Sequence, residues 1–155
     1  MKRNTRLLSL CFGLVLAIIS CGHPALKTKE EAIKFLESND FYDNEAQISG
    51  RDGGNITSPF SIRFTNGQAI INTESLPFTL ERIEDGMPNF NGPIYRLQFC
   101  GSSRYAYGGC IGGYLSSGIQ SSGEKSKFGP ALKIKGDFVN AYFSYVTKGS
   151  ITKKQ

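Results

Sequence analysis

The sequence is poor in the residues on which many enzyme centres depend. Among its 155 residues there is no tryptophan, and the only histidine is His23. A serine or cysteine nucleophile that is activated by imidazole needs a histidine within hydrogen-bonding distance. Zinc sites usually take four ligands at short spacings. A single histidine near the start of the chain fits neither chemistry, and we predict no metal site and no cofactor.

The chain also lacks a hydrophobic run long enough to cross a bilayer. Residues 7–19 are 13 residues without a charge, whereas a spanning helix needs about 20 apolar residues. Three basic residues precede this run, and the small residue Ser20 follows it. A basic start, a short apolar run and a small residue are typical of a secretory signal peptide. We therefore predict that residues 1–20 direct export and are then removed.

A cysteine follows the apolar run directly. The segment Ile18-Ile19-Ser20-Cys21 resembles the lipobox of bacterial lipoproteins, in which aliphatic and small residues precede an invariant cysteine. The resemblance implies that the sulfur of Cys21 receives a diacylglyceryl group, that a type II signal peptidase cleaves before it, and that the new amine is acylated. Two or more acyl chains give stable membrane attachment, whereas one gives only marginal binding.

The same resemblance implies a location in the cell envelope. Gly22 stands where an aspartate would favour retention in the inner membrane, so we predict an outer-membrane lipoprotein that faces the periplasm. Removal of three basic residues with the signal peptide lowers the formal net charge from +5 to +2. Nucleic-acid binding needs a clustered basic patch. We therefore predict a membrane partner, through the lipid on Cys21, and no nucleic-acid partner.

The four cysteines divide into two groups. Cys11 is lost with the signal peptide and Cys21 is the predicted lipid site, so Cys100 and Cys110 remain. Because exported domains form disulfides readily, we predict a structural disulfide between them. Two free thiols are the alternative.

Glycine and serine dominate residues 101–123, which also contain several tyrosines. Glycine and serine weaken the prediction of a strand. One interpretation is therefore a long flexible insertion that the disulfide holds at its base. The other is a recognition loop, in which tyrosine provides contact area and serine and glycine provide adaptable hydrogen bonds. The candidate binding residues of that loop are Arg104, Tyr105, Tyr107 and Tyr114.

Only one segment of the mature chain predicts a helix. Thr28 and Glu31 have the spacing of a capping box, and the apolar residues of 32–36 lie at helical spacing. We expect this helix to end at Asn39-Asp40. Residues 22–27 precede it, and we interpret 21–27 as a tether.

The rest of the chain has the period of β-strands. Residues 59–65 alternate apolar and polar side chains, Asn66-Gly67 predicts a type I′ hairpin, and residues 68–72 return. Further strands are predicted in four segments: 77–83, 93–100, 131–136 and 138–146. We predict a mainly β domain, a small antiparallel sandwich or barrel preceded by one N-terminal α-helix. It spans residues 28–147 and is followed by a polar tail, 148–155, that frays in solvent.

These features favour a non-catalytic binding or structural domain in the cell envelope. Its partner would be an envelope protein or a glycan, and a closed barrel would also allow a small apolar ligand inside. The alternative is a carboxylate-dependent envelope hydrolase that acts on glycan. Its candidate residues, Glu81, Glu84 and Asp85, cluster near a predicted turn and resemble a solvated surface.

Overall fold

The computed structural model describes residues 26–49, 55–83, 92–106, 108–117, 129–143 and 150–154, with the backbone alone at 55–57 and 150. These residues form one helix and nine strands. In chain order they are α1 (Lys29–Glu37), β1 (Asn39–Ser49), β2 (Asn55–Thr65), β3 (Gln68–Ile71), β4 (Glu74–Ile83), β5 (Ile94–Cys100), β6 (Cys110–Ser116), β7 (Ala131–Lys135), β8 (Val139–Phe143) and β9 (Ser150–Lys153).

The strands form a closed antiparallel barrel. Each of β1 to β7 pairs with the next strand along the chain, and β8 returns to β1 through Val139 and Asn140. The extra strand β9 pairs with the first residues of β1, from Asn39 to Tyr42. The prediction of a mainly β domain is therefore confirmed, and the arrangement is a barrel of eight strands with one additional strand.

Side chains alternate between the inside and the outside of this barrel. The inward positions of β5, for example, are Tyr95, Leu97 and Phe99, all with no exposed surface, and Arg96 and Gln98 between them are exposed. Since successive side chains of a strand point to opposite faces, the apolar set fills the barrel and the polar set covers its wall.

The helix begins at the predicted capping box. The Thr28 hydroxyl accepts a hydrogen bond from the backbone N–H of Glu31, and the Glu31 carboxylate accepts one from the backbone N–H of Thr28. Three side chains of α1 belong to the barrel core: Ala32, Phe35 and Leu36. Because α1 contacts β1, β2 and β4, it lies across one end of the barrel, which we call the helix end.

The hairpin at Asn66-Gly67 is confirmed. Both residues have positive φ, 48° and 73°, as a type I′ turn requires, and Thr65 pairs with Gln68 across the turn. The strands β7 and β8 also pair as predicted, on either side of Gly136.

Three predictions were wrong. The helix ends at Glu37, and Asn39-Asp40 instead begin β1, which the sequence did not predict. Residues 110–116, which both interpretations of 101–123 treated as part of a loop, form β6 and pair with β5 and β7 along their length. Within the predicted tail 148–155, residues 150–153 are β9, so the domain extends beyond residue 147.

Candidate binding surface

Aromatic side chains form an unbroken column inside the barrel. It starts at Phe35 on α1 and continues through Phe41, Phe143 and Phe60, with 5.9–6.2 Å between successive ring centroids. The ring of Tyr105 completes it, 5.6 Å from Phe60. A barrel of eight strands is just wide enough for side chains to fill. Along this column the protein's own rings occupy the barrel interior.

The last ring of the column closes the end opposite to α1. Tyr105 is 3% exposed, and its hydroxyl accepts a hydrogen bond of 2.6 Å from the side-chain amide of Asn72, in the turn between β3 and β4. Its carbonyl accepts one from the backbone N–H of Phe138. Residues 101–106 thus cover this end, and we call them the lid and this end the lid end.

An ion pair fixes the outer edge of the lid. The Arg104 Nε donates a hydrogen bond of 2.6 Å to the Glu74 carboxylate, and the Ser103 hydroxyl donates another of 2.9 Å. Burial raises the pKa of Glu74, but the hydrogen bonds from Arg104 and Ser103 outweigh this effect and lower the pKa below its ordinary value. The guanidinium is largely exposed, whereas the carboxylate is mostly covered.

Cys100 and Cys110 form the base of the lid. They lie directly opposite each other at the ends of β5 and β6, with Cα atoms 4.1 Å apart and the sulfurs at disulfide-bonding distance. The predicted pairing of these two cysteines is therefore found. It joins two neighbouring strands of the barrel at the point where the lid leaves them.

The predicted recognition loop is not one surface. Arg104 is exposed but bound to Glu74, and Tyr105 points into the barrel. Tyr114 lies on β6, on the outside of the wall, and is 40% exposed. Tyr107 lies outside the described residues. The interpretation of residues 104–114 as one recognition loop is contradicted for Tyr105 and Tyr114, because Tyr105 points into the barrel and Tyr114 points outward from its wall.

Tyr114 has basic neighbours on both adjacent strands. Arg96 on β5 and Lys133 on β7 each pair directly with it across the sheet, and directly opposite residues have Cβ atoms about 5 Å apart. Lys135 lies two residues farther along β7, opposite Gly112. We call the surface of Arg96, Tyr114, Lys133 and Lys135 the basic wall.

The sequence contained part of the signal for this surface. The alternation in residues 93–100 and 131–136 places Arg96, Lys133 and Lys135 outside the barrel. What brings them to Tyr114 is the pairing of β6 between β5 and β7, and β6 was not predicted.

Of the three candidate catalytic carboxylates, only Glu81 lies within the described residues. Glu81 is exposed on β4 and lies 3.7 Å from Arg96 in a surface ion pair. Glu84 and Asp85 lie outside the described residues, as do Cys21 and His23. In the described ranges no three His, Cys, Asp or Glu side chains are grouped so that they would hold a metal ion. No helix in this part of the chain is long and apolar enough to cross a membrane.

Comparison of the chain with protein-family models, with curated proteins and with solved structures finds no match. The functional assignment therefore depends on the residues and their geometry.

Proposed function

We propose that this protein is a lipid-anchored envelope lipoprotein whose barrel binds another protein through its outer wall. Two observations support it from different parts of the chain. Residues 1–21 resemble a signal peptide with a lipobox, which ends at Cys21. The column of rings from Phe35 to Tyr105 runs through the barrel interior, which favours a partner on the outside.

The column of rings is the observation that carries the choice of an external surface. Internal ligand sites are concave cavities that enclose most of the ligand. Here α1 covers one end of the barrel and Tyr105 fills the other. An internal apolar ligand would have to displace at least one ring of the column, and each such ring contributes several kcal/mol to stability.

The basic wall is the surface best suited to a protein partner. Tyrosine and arginine are enriched where protein interfaces concentrate their binding energy, and an arginine guanidinium binds carboxylates through two parallel hydrogen bonds. The outside of a barrel is convex, so it matches the broad surface of a protein better than it encloses a sugar ring. Because Arg96 is already paired with Glu81, the positive charges that favour an acidic partner are those of Lys133 and Lys135.

Nothing in the described carboxylates favours the hydrolase. A general acid needs a raised pKa, whereas the pKa of Glu74 is lowered by its hydrogen bonds with Arg104 and Ser103. Glycan cleavage that is lost on replacing an aspartate or glutamate by alanine would overturn the proposal of a non-catalytic domain.

The anchor is tested by Cys21→Ser. We expect the unchanged protein to sediment with membranes and to carry acyl groups on Cys21 by mass spectrometry, and the variant to appear in the soluble fraction. A membrane-bound Cys21→Ser variant, or an unmodified chain that begins elsewhere, would contradict the anchor.

The basic wall is tested by photocross-linking in intact cells. A photoreactive phenylalanine analogue replaces Tyr114 or, as a matched control, Tyr42, which is the other strongly exposed tyrosine of the described wall at 43%. We expect an adduct with an acidic envelope protein from position 114 only. Charge reversal at both Arg96→Glu and Lys133→Glu should reduce it at least tenfold.

Two results would overturn this binding surface: equal adducts from positions 42 and 114, and an adduct that charge reversal leaves unchanged. An adduct with glycan in place of protein would keep the surface but overturn the proposed class of partner.

A further inference from the structure

The barrel holds the chain very close to the predicted lipid site. Leu26 is 2% exposed and belongs to the barrel core. Its carbonyl accepts a hydrogen bond of 3.2 Å from the buried hydroxyl of Tyr95. The backbone N–H of Lys27 then donates one of 2.7 Å to the Glu31 carboxylate. The predicted tether, residues 21–27, is therefore too long, because the chain is already bound to the barrel at Leu26.

Covalent geometry limits the distance between Cys21 and Leu26. These residues are separated by five steps along the chain, and an extended chain advances at most about 3.6 Å per residue. Leu26 thus lies within about 18 Å of the Cys21 Cα. By comparison, the 11 residues of β1 span roughly 28 Å along the barrel axis, at about 3.3 Å per residue and a tilt of about 40°.

The charges at the helix end are consistent with a membrane surface. It carries seven of the described basic residues and four acidic residues, a net charge of +3. The basic residues are Lys27, Lys29, Lys34, Arg63, Arg82, Lys153 and Lys154, and the acidic residues are Glu30, Glu31, Glu37 and Asp40. Basic residues near an anionic bilayer are attracted to its surface, so this end suits a layer of anionic headgroups.

We propose that the helix end of the barrel faces the bilayer that carries the lipid on Cys21, with the lid end directed away from it. This orientation rests on the proposed lipid anchor. The connection from Cys21 to Leu26 is shorter than the barrel is high, so it keeps the helix end close to the lipid. The basic residues around α1 favour the same orientation.

The orientation is tested by fluorescence quenching on the full, lipidated protein. The protein is reconstituted into vesicles of phosphatidylethanolamine and phosphatidylglycerol that contain a quencher on the headgroups. Single cysteines for a fluorophore are introduced at exposed positions: Lys34→Cys on α1, Thr79→Cys halfway along the wall, and Thr73→Cys at the lid end. We expect at least fivefold stronger quenching at position 34 than at position 73, with position 79 between them.

An insertion tests whether the short connection between Cys21 and Leu26 causes this orientation. Twelve glycine and serine residues placed between Pro24 and Ala25 leave the lipid in place but extend the reach by about 40 Å. We expect the difference in quenching between positions 34 and 73 to shrink. An unchanged difference would contradict the role of connection length.

The possible failures are distinguishable. A membrane-bound protein with equal quenching at positions 34 and 73 would mean that the barrel lies on its side, and it would overturn the orientation alone. Stronger quenching at position 73 would do the same. An unacylated protein that does not bind the vesicles would overturn both the orientation and the proposed anchor.

Discussion

The hydroxyl of Tyr105 and the side-chain amide of Asn72 lie 2.6 Å apart, although 33 residues separate them in the chain. Asn72 also accepts a hydrogen bond on its side-chain oxygen from the backbone N–H of Ser61 and donates its own N–H to the Ser61 carbonyl. Its φ of 50° is one that asparagine tolerates better than most residues. One polar side chain therefore connects the turn, the strand β2 and the lid.

We expect Tyr105→Ala to lower the free energy of unfolding by about 3–5 kcal/mol, because it removes a buried ring from the end of the aromatic column. Tyr105→Phe keeps the ring but loses the hydrogen bond with Asn72, and should cost about 0.5–1.5 kcal/mol. Urea unfolding measures both. The exposed Tyr42→Ala is the control, and a Tyr105→Ala as mild as this control would show that the ring is not part of the core.

The disulfide should contribute about 2–3 kcal/mol, since it closes a short loop in the unfolded chain. Thiol labelling of the folded protein should leave Cys100 and Cys110 unreacted until a reductant is added. The contribution is measured by unfolding the protein with and without reductant. A double variant with serine at both positions is unfolded for comparison. Immediate labelling without reductant would favour the alternative of free thiols.

The two adjacent glycines of β6 should differ sharply in their response to alanine. A Cβ on Gly113 would lie 2.8 Å from the Lys133 carbonyl and 3.1 Å from the Ile134 Cδ1, inside the packed barrel. We expect Gly113→Ala to cost about 1–3 kcal/mol through overpacking.

Gly112→Ala is the matched control for this experiment. A Cβ there would lie 3.6 Å from the Lys135 carbonyl, an ordinary contact, so we expect its unfolding free energy to stay within about 0.5 kcal/mol of the original. Equal losses in the two variants would contradict the assigned inward and outward faces of β6.

The ion pair between Glu74 and Arg104 should give a pH-dependent stability. The pKa of Glu74 is lower in the folded protein than its ordinary value of 4.5, so the ionised carboxylate favours folding. This contribution is complete above pH 4.5 and is lost as the pH falls through the folded pKa. We expect the stability difference between the protein and Glu74→Gln to shrink between pH 7 and pH 3 in denaturant titrations. A difference that stays constant would contradict the assignment.

The sequence predicted those elements whose local signals agree with their surroundings. The capping box of Thr28 and Glu31, the Asn66-Gly67 turn and the alternation around Phe60 to Phe64 are local patterns that need no distant partner. In contrast, β1 reads Asn39-Asp40-Phe41-Tyr42-Asp43 at its start, which includes residues that are depleted in strands. It forms because β2 and β9 pair with both of its edges.

The candidate site was harder to predict because it also depends on the pairing of strands that are distant in the sequence. Gly113 weakens a strand by propensity, yet β6 needs a residue without a side chain there because the Lys133 carbonyl approaches so closely. Without knowledge of how β6 pairs, the local sequence does not distinguish the inward Tyr105 from the outward Tyr114. Their opposite directions depend on strand pairing and on the lid contact with Asn72, which are long-range features.

The two ends of the described chain leave the barrel on the same side. The backbone N–H of Lys154 donates a hydrogen bond to the carbonyl of Ser38, at the end of α1. Leu26, just before α1, accepts one on its carbonyl from the hydroxyl of Tyr95. In the proposed orientation, a fluorescent protein fused after Lys154 would compete with lipid headgroups for space. The same reporter inserted at Thr73 would emerge at the opposite end, but it would interrupt the turn in which Asn72 binds Ser61 and Tyr105.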